Sequence, residues 1–269
     1  MKKVILLTGN DLRHRFFKHF VSSNDHINVL KTFCENNEGD LNQKVSVLSS
    51  NKLRKKHLNS RIQTEIDFFE LFINNVNDKS NSQLIQRGEV NNSSITNQII
   101  ELNPDLIVAY GCSIIKSEIL EVFKNKFINI HLGLSPYYRG SGTNFWPFVE
   151  NNLSLIGTTF MHIDKGIDTG EIIHQIRARI YSGDTIHNIG NRLIVDSVKE
   201  CIDIIKDFNY LKQNSNQNNK LSGKLFKNSD FTEESIQRAY MDLDLKIDSY
   251  LEKKKNLDLK FPLIQYLKK

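Results

Sequence analysis

A four-residue aliphatic run, Val4-Ile5-Leu6-Leu7, stops abruptly at Thr8-Gly9-Asn10. Side chains that are apolar on both faces of so short a run, closed by a turn, are the pattern of a buried parallel strand. Residues 12–21 read as a helix with Asp11 placed to cap it, and residues 27–33 as a second strand. A βαβ unit at the start of a chain points to an α/β fold with a doubly wound, mostly parallel twisted sheet. Regularity returns after Pro104. Residues 106–109, 127–131, 155–163 and 172–180 read as strands, the last alternating like an edge, and 116–123 and 142–150 as helices. Asp184-Thr185 opens a long helix expected to reach about Phe208, with Ile186, Ile189, Leu193, Val198, Ile202 and Ile205 near helical spacing. Residues 54–76 are helix-like without an assigned role, and residues 74–97 read as a polar surface excursion. The expected organisation is one large domain over 1–210, an Asn/Gln-rich linker over 211–222, and a small helical C-terminal region over 223–269 suited to dimerisation or acceptor binding.

A chain of 269 residues can bury a substantial core, and its 39% hydrophobic and 25% charged content is ordinary for a globular protein. The net charge of +5 suits phosphate-bearing ligands but is too diffuse to argue for nucleic acid. Cys34, Cys112 and Cys201 are odd in number and lack metal-like spacing, so no metal is expected and the thiols fit a reduced, cytoplasmic setting. The apolar run after Met1-Lys2-Lys3 is too short for a signal peptide and reads as the first strand. No segment approaches the length of a membrane span.

The chemistry concentrates in two places. In Asn129-Ile130-His131 the strand period of two puts Asn129 and His131 on one face, so they enter the same site together. Pro136, Tyr137, Arg139 and Gly140 then turn the chain away. Further along, Gly166-Ile167-Asp168-Thr169-Gly170 is a glycine-flanked loop able to return a carboxylate to the histidine. An amide, an imidazole and a carboxylate converging on one carbonyl suit acyl transfer: oxyanion stabilisation, proton movement, and orientation of the proton carrier. Taken singly, each residue has a plainer reading as a turn, cap or structural residue.

Asn-x-His, the Ser135-Pro-x-Tyr-Arg-Gly140 turn and the Gly-Ile-Asp-Thr-Gly loop, in this order and separation, resemble the formyltransferases that use 10-formyltetrahydrofolate. The resemblance runs from about Asn103 to Ile180, weakens over residues 1–35 and fades over 36–97. The family's His-Pro-Ser-Leu-Leu-Pro run is here His131-Leu-Gly-Leu-Ser-Pro136. That departure spares the three residues and falls on the turn, where the family has a cis peptide before proline. The resemblance implies catalytic roles for Asn129, His131 and Asp168, and 10-formyltetrahydrofolate as formyl donor. It also implies a folate pocket built largely from backbone in two loops, Cys112-Ser113-Ile114-Ile115 and Asp164-Lys165-Gly166-Ile167.

For the acceptor, the loop from Thr8 to Arg15 follows a strand and opens a helix, a position able to hold phosphate through Asn10, Arg13 and Arg15. It lacks the Gly-Ser-Asn pattern expected of enzymes acting on glycinamide ribonucleotide. Tyr137, Arg139 and Asn144 follow the catalytic strand and are further acceptor candidates. The leading expectation is transfer to the amine of a nucleotide-linked amino sugar in surface polysaccharide synthesis. Methionyl-tRNA is the runner-up acceptor, and a non-catalytic folate- or partner-binding relative is the third reading. Expected partners are therefore folate and a sugar nucleotide, with no nucleic acid, no membrane span, and a homodimer formed by the C-terminal region.

Overall fold

The computed structural model describes residues 1–36, 52–214 and 223–265. Its centre is a sheet in the order β3-β2-β1-β4-β5-β7-β8. The strands are β1 (Lys2–Thr8), β2 (Ile27–Glu35), β3 (Ser82–Ile85), β4 (Leu106–Tyr110), β5 (Phe127–His131), β7 (Gly157–Met161) and β8 (Ile172–Arg177). Strands β1 to β5 pair in parallel, and β7 lies antiparallel between β5 and β8. This is the expected doubly wound α/β sheet, with β8 at one edge as anticipated.

Alternation along the central strands divides the core in two. Val4, Leu6, Leu106, Val108, Ile128 and Ile130 face a large cluster that includes α1 (Leu12–Ser22) and α7 (Ile186–Asn214). Ile5, Leu7, Ile107, Ala109 and Phe127 face a smaller one closed by α4 (Ser93–Leu102) and α5 (Ser117–Val122). All six α7 positions singled out by helical spacing are buried. Burial on both faces explains the unbroken apolar run in β1 and β4. Among the described residues no helix is long and apolar enough to cross a membrane.

The segment without an assigned role is a continuous helical stretch: α2 (Lys52–Glu65), a π-helical turn at Ile66–Glu70, and α3 (Leu71–Asn75). Phe69 is fully buried and stacks near Phe16 of α1, with ring centroids 4.9 Å apart. The segment thus covers the larger core and also brings Arg61 and Glu65 to the first loop.

Three local expectations need correction. Residues 74–97 are not a plain excursion, because β3 pairs with β2 from Thr32↔Ser82 to Glu35↔Ile85. An edge strand needs only its backbone to pair; with Leu84 exposed and Ile85 alone buried, β3 shows no alternating signal. The helix expected over 142–150 is only α6 (Trp146–Val149). Gly142 has φ +67, outside the helical region, so the helix begins later. Helix α7 runs to Asn214, into the span read as a linker; residues 215–222 of that span lie outside the described residues.

The C-terminal residues pack back onto the core. Strand β9 (Lys224–Phe226) pairs with β6 (Tyr138–Gly140) in a separate two-stranded sheet. They are followed by α8 (Glu233–Tyr240) and α9 (Leu243–Leu259). Helix α8 is tied to α2 and α7 through one phenol: the Tyr240 hydroxyl lies 2.9 Å from His57 Nδ1 and 3.1 Å from His187 Nε2. Burial lowers the pKa of His57 to about 4, helped by the Arg54 charge. Burial, with the neighbouring His57, takes His187 to about 3.

These histidines fold as neutral rings and gain protons on unfolding below about pH 6.5. Their stabilising contribution is therefore present above that value and is lost as pH falls through the folded pKa values. Denaturant titrations should show stability decreasing from pH 7 to pH 5 by the order of 1 kcal/mol per pH unit. A His57→Gln, His187→Gln double variant should flatten that slope, leaving the shares of His14, whose burial lowers its pKa to about 3, and of His19, which burial also lowers. An unchanged slope would remove the cluster from the account.

Candidate active site

Strand β5 ends at the carboxyl end of the parallel sheet, where the register sets Asn129 opposite Ala109 of β4 and Met161 of β7. Asn129 and His131 share a face, as the strand period requires. After β7, the chain doubles back over β5. Gly170 makes that return close: a Cβ there would lie 1.7 Å from the His162 carbonyl oxygen. Asp164 braces the loop, accepting from the Gly166 N–H at 2.9 Å and the Thr169 hydroxyl at 2.6 Å. Asp168 occupies the tip with φ +51, a left-handed conformation that aspartate tolerates.

The Asp168 carboxylate is the meeting point. Its Oδ1 lies 3.3 Å from His131 Nδ1 and accepts from Asn129 Nδ2 at 3.4 Å. Its Oδ2 accepts from the backbone N–H of Gly140 at 2.8 Å. The other ring nitrogen, His131 Nε2, is 2.9 Å from the Tyr138 carbonyl oxygen. A carbonyl can only accept, so Nε2 carries a proton, and Nδ1 faces the Asp168 carboxylate. Gly133 makes room for the ring, because a Cβ there would lie 2.6 Å from Nε2. The peptide between Ser135 and Pro136 is cis. His131 is 6% and Asp168 12% exposed at the side chain, so the pair is largely withdrawn from bulk water.

Such a site can do three things. One N–H of the Asn129 amide points to Asp168 and the second remains to hold a carbonyl oxygen, a preorganised donor worth roughly 3 kcal/mol to a developing oxyanion. Nδ1 of His131 can take up a proton, and Asp168 beside it offsets the charge that the ring acquires.

The two loops proposed to hold folate flank the same small core, against which Cys112 and Ile163 pack. Ile114 is 68% and Ile167 42% exposed, apolar groups left on the surface on either loop. Glu35 receives the Ser113 N–H at 2.6 Å, and Asn91 Nδ2 donates to the Ile114 carbonyl at 3.0 Å. Burial, with the nearby Glu35 charge, pushes the Cys112 thiol up to about 12, so it stays protonated. Ile115 is buried, and Lys165 is exposed with Nζ 3.8 Å from Glu121.

The acceptor candidates separate. Asn10 and Arg15 are exposed. Arg13 is held between carboxylates, 2.9 Å from Asp11 and 3.3 Å from Glu65, and Arg61 pairs with the same Glu65 at 2.9 Å. A phosphate at Arg13 would have to displace those carboxylates. The sequence reading missed Arg61 and Glu65; their opposite charges at helical i,i+4 spacing were the available signal. Tyr137 packs its ring edge-on to Phe261 at 5.2 Å, and Arg139 Nη2 donates to the Gly223 carbonyl at 3.3 Å. Asn144 is half-buried, and its buried Oδ1 has no hydrogen-bond partner among the described residues.

Residues 19–204 match the formyl transferase family, and the chain belongs to that family. The methionyl-tRNA formyltransferase of Desulforamulus reducens is 40% identical over 109 residues, covering 40% of this chain and 34% of that protein. The methionyl-tRNA formyltransferase of Thermodesulfovibrio yellowstonii is 34% identical over 124 residues, covering 45% and 40%. The chain thus spans less than half the length of these curated relatives. Among solved structures, a sugar N-formyltransferase from a Shewanella species aligns with a TM-score of 0.57 at 19% identity, covering 89% of this chain and 88% of that one. A phosphoribosylglycinamide formyltransferase from Streptococcus pneumoniae aligns at 0.54 and 18%, covering 77% and 99%. At such identity these structures share the fold.

Nitrogen-detected NMR of the His131 ring should report a protonated Nε2 near neutral pH. A ring protonated at Nδ1 alone would contradict the placement of the Tyr138 carbonyl.

Proposed function

We propose that this member of the formyl transferase family moves a formyl group from 10-formyltetrahydrofolate to the amine of a nucleotide-linked amino sugar. The observation that carries the transfer chemistry is the convergence of Asn129, His131 and Gly140 on the single carboxylate of Asp168. 10-Formyltetrahydrofolate supplies the formyl carbon and leaves as tetrahydrofolate. The exposed Ile114 and Ile167 fit a flat, partly apolar ring system, with the backbone of residues 112–115 and 164–167 alongside.

The residues then have distinct tasks. Asn129 holds the carbonyl oxygen with its free amide N–H as negative charge gathers there. His131 receives the proton released by the attacking amine on Nδ1 and returns it towards the departing nitrogen, so no net proton is lost. Asp168 faces the nitrogen that carries the proton and ties it to the Asn129 amide and the Gly140 backbone. Arg13, Arg61, Tyr137, Arg139 and Asn144 are the residues we assign to the acceptor side, together with Asn10 and Arg15 at the first loop.

The choice of acceptor rests on coarser support. The fold shared with the sugar enzyme extends over 89% of this chain, against 77% for the glycinamide ribonucleotide enzyme. The first loop lacks the Gly-Ser-Asn pattern that the latter class would carry. Methionyl-tRNA stands as the second reading because the curated relatives named above act under that name. We take residues 1–210 as the catalytic unit, 211–222 as its link, and 223–269 as an arm that returns to it, in a cytoplasmic enzyme of surface polysaccharide synthesis.

The reaction is tested by tetrahydrofolate release with nucleotide-linked amino sugars and charged initiator tRNA offered in parallel. Turnover should depend on one amino sugar. His131→Ala and Asp168→Ala should each lower kcat by about 10²- to 10⁴-fold with folding retained. Turnover with tRNA alone would replace the acceptor, and wild-type rates in either variant would overturn the mechanism.

A further inference from the structure

The two backbone groups that govern the catalytic pair both belong to β6. Tyr138 supplies the carbonyl facing His131 Nε2, and Gly140 supplies the N–H bound by Asp168 Oδ2. Yet β6 is not part of the main sheet; among the described residues its only strand partner is β9, in the register Tyr138↔Lys224, Arg139↔Leu225 and Gly140↔Phe226. The start of the turn is tied to the core independently, since Gln175 Nε2 donates to the Ser135 carbonyl at 2.7 Å. Its middle depends on β9.

That dependence is backbone to backbone. The Lys224 N–H donates to the Tyr137 carbonyl at 3.1 Å, and the Ser141 N–H donates to the Phe226 carbonyl at 2.9 Å. No side chain fits between them. A Cβ on Gly223 would lie 1.6 Å from the Pro136 carbonyl oxygen, and one on Gly140, at φ +88, 2.2 Å from the Phe226 carbonyl oxygen. The Phe226 ring holds the register by lying between two others. It stacks on Trp146 at 4.4 Å with planes 10° apart, and on Tyr138 at 5.9 Å with planes 20° apart. Trp146 is itself fixed, its Nε1 donating to the Ser141 carbonyl at 2.8 Å. Glu150 joins the two strands from the side, accepting from the Tyr138 hydroxyl at 2.8 Å and from Lys224 Nζ at 2.6 Å.

We propose that Phe226 and the strand it anchors are positioning elements for catalysis: seated between Tyr138 and Trp146, Phe226 holds β6 in the register that fixes the His131 tautomer and the Asp168 orientation. This rests on the formyl-transfer reading for its catalytic consequence, though the positioning itself is a property of the chain. The C-terminal arm thereby completes the active site through its backbone. A shift of about 1 Å at a reacting group costs on the order of 10²-fold in rate, so a modest displacement of β6 suffices to be seen.

The test uses the full chain in two variants, Phe226→Ala and Gly223→Ala, with Phe226→Tyr as the conservative rescue. The first removes the stacked ring and the second drives the backbones apart, so loss of folding in one leaves the other decisive. The ring nitrogens of His131 are read by NMR without substrate, and kcat and KM are read with the accepted amine. Either folded variant should show His131 as a mixture of tautomers and lose about 10- to 100-fold in kcat with KM changed less than about threefold. Phe226→Tyr should restore both readouts. Wild-type ring signals and wild-type kcat in a folded Phe226→Ala protein would overturn the proposal. An altered His131 ring in a protein whose wild type transfers formyl to no acceptor would sustain the positioning role and defeat the formyl-transfer reading.

Discussion

Everything at the site depends on one largely buried carboxylate that accepts from two donors and faces the histidine ring. Asp168 meets the Asn129 amide and the His131 ring with one oxygen and the Gly140 backbone N–H with the other. Two of the partners come from a strand of the main sheet and the third from β6 outside it, and they meet at the loop that carries Asp168. A carboxylate with several donors is held in place by all of them, and it holds them in return. The arrangement therefore specifies orientation more than it adds stability.

The fold explains how so exacting a meeting is possible. Strand β5 lies inside the sheet between β4 and β7, covered on both faces, which fixes Asn129 and His131 on a rigid element. The loop bearing Asp168 is less constrained by burial, and close backbone passages compensate, with Gly170 against the His162 carbonyl and Asp164 closing the turn. The turn after β5 is secured by chain that arrives from far along the sequence, through β9 and through Gln175, whose backbone N–H donates to the Ile264 carbonyl and whose Oε1 accepts from the Ile264 N–H. Helices α8 and α9 extend that arm across the molecule. The Tyr240 hydroxyl joins it to α2 and α7 through two neutral imidazoles.

Much of this was legible in the sequence where side-chain pattern and structure coincide. Strand β5 has the bounds expected from its apolar lead-in, and Asn129 and His131 share a face because strand geometry leaves them no alternative. Asp168 was marked by its flanking glycines. What escaped notice has a common cause: it is carried by backbone. The Tyr138 carbonyl and the Gly140 N–H leave no trace in residue identity, and β3 pairs as an edge strand with its side chains mostly in solvent. The helix expected at 142–150 failed at Gly142, whose left-handed conformation the apolar run after it concealed. Charge pairs across distant segments, such as Arg13 with Glu65, need the tertiary fold before they can be read.

The central claim is that the Asn129 amide and the Nδ1 side of His131 surround one formyl carbon. Its most direct test is a crystal structure of the chain with a non-transferable 10-formyl folate analogue. The account predicts the formyl oxygen within hydrogen-bond distance of Asn129 Nδ2 and the formyl carbon on the Nδ1 side of His131, with the ring system between residues 112–115 and 164–167. A formyl group bound away from Asn129 and His131, with the Asp168 contacts unchanged, would contradict it.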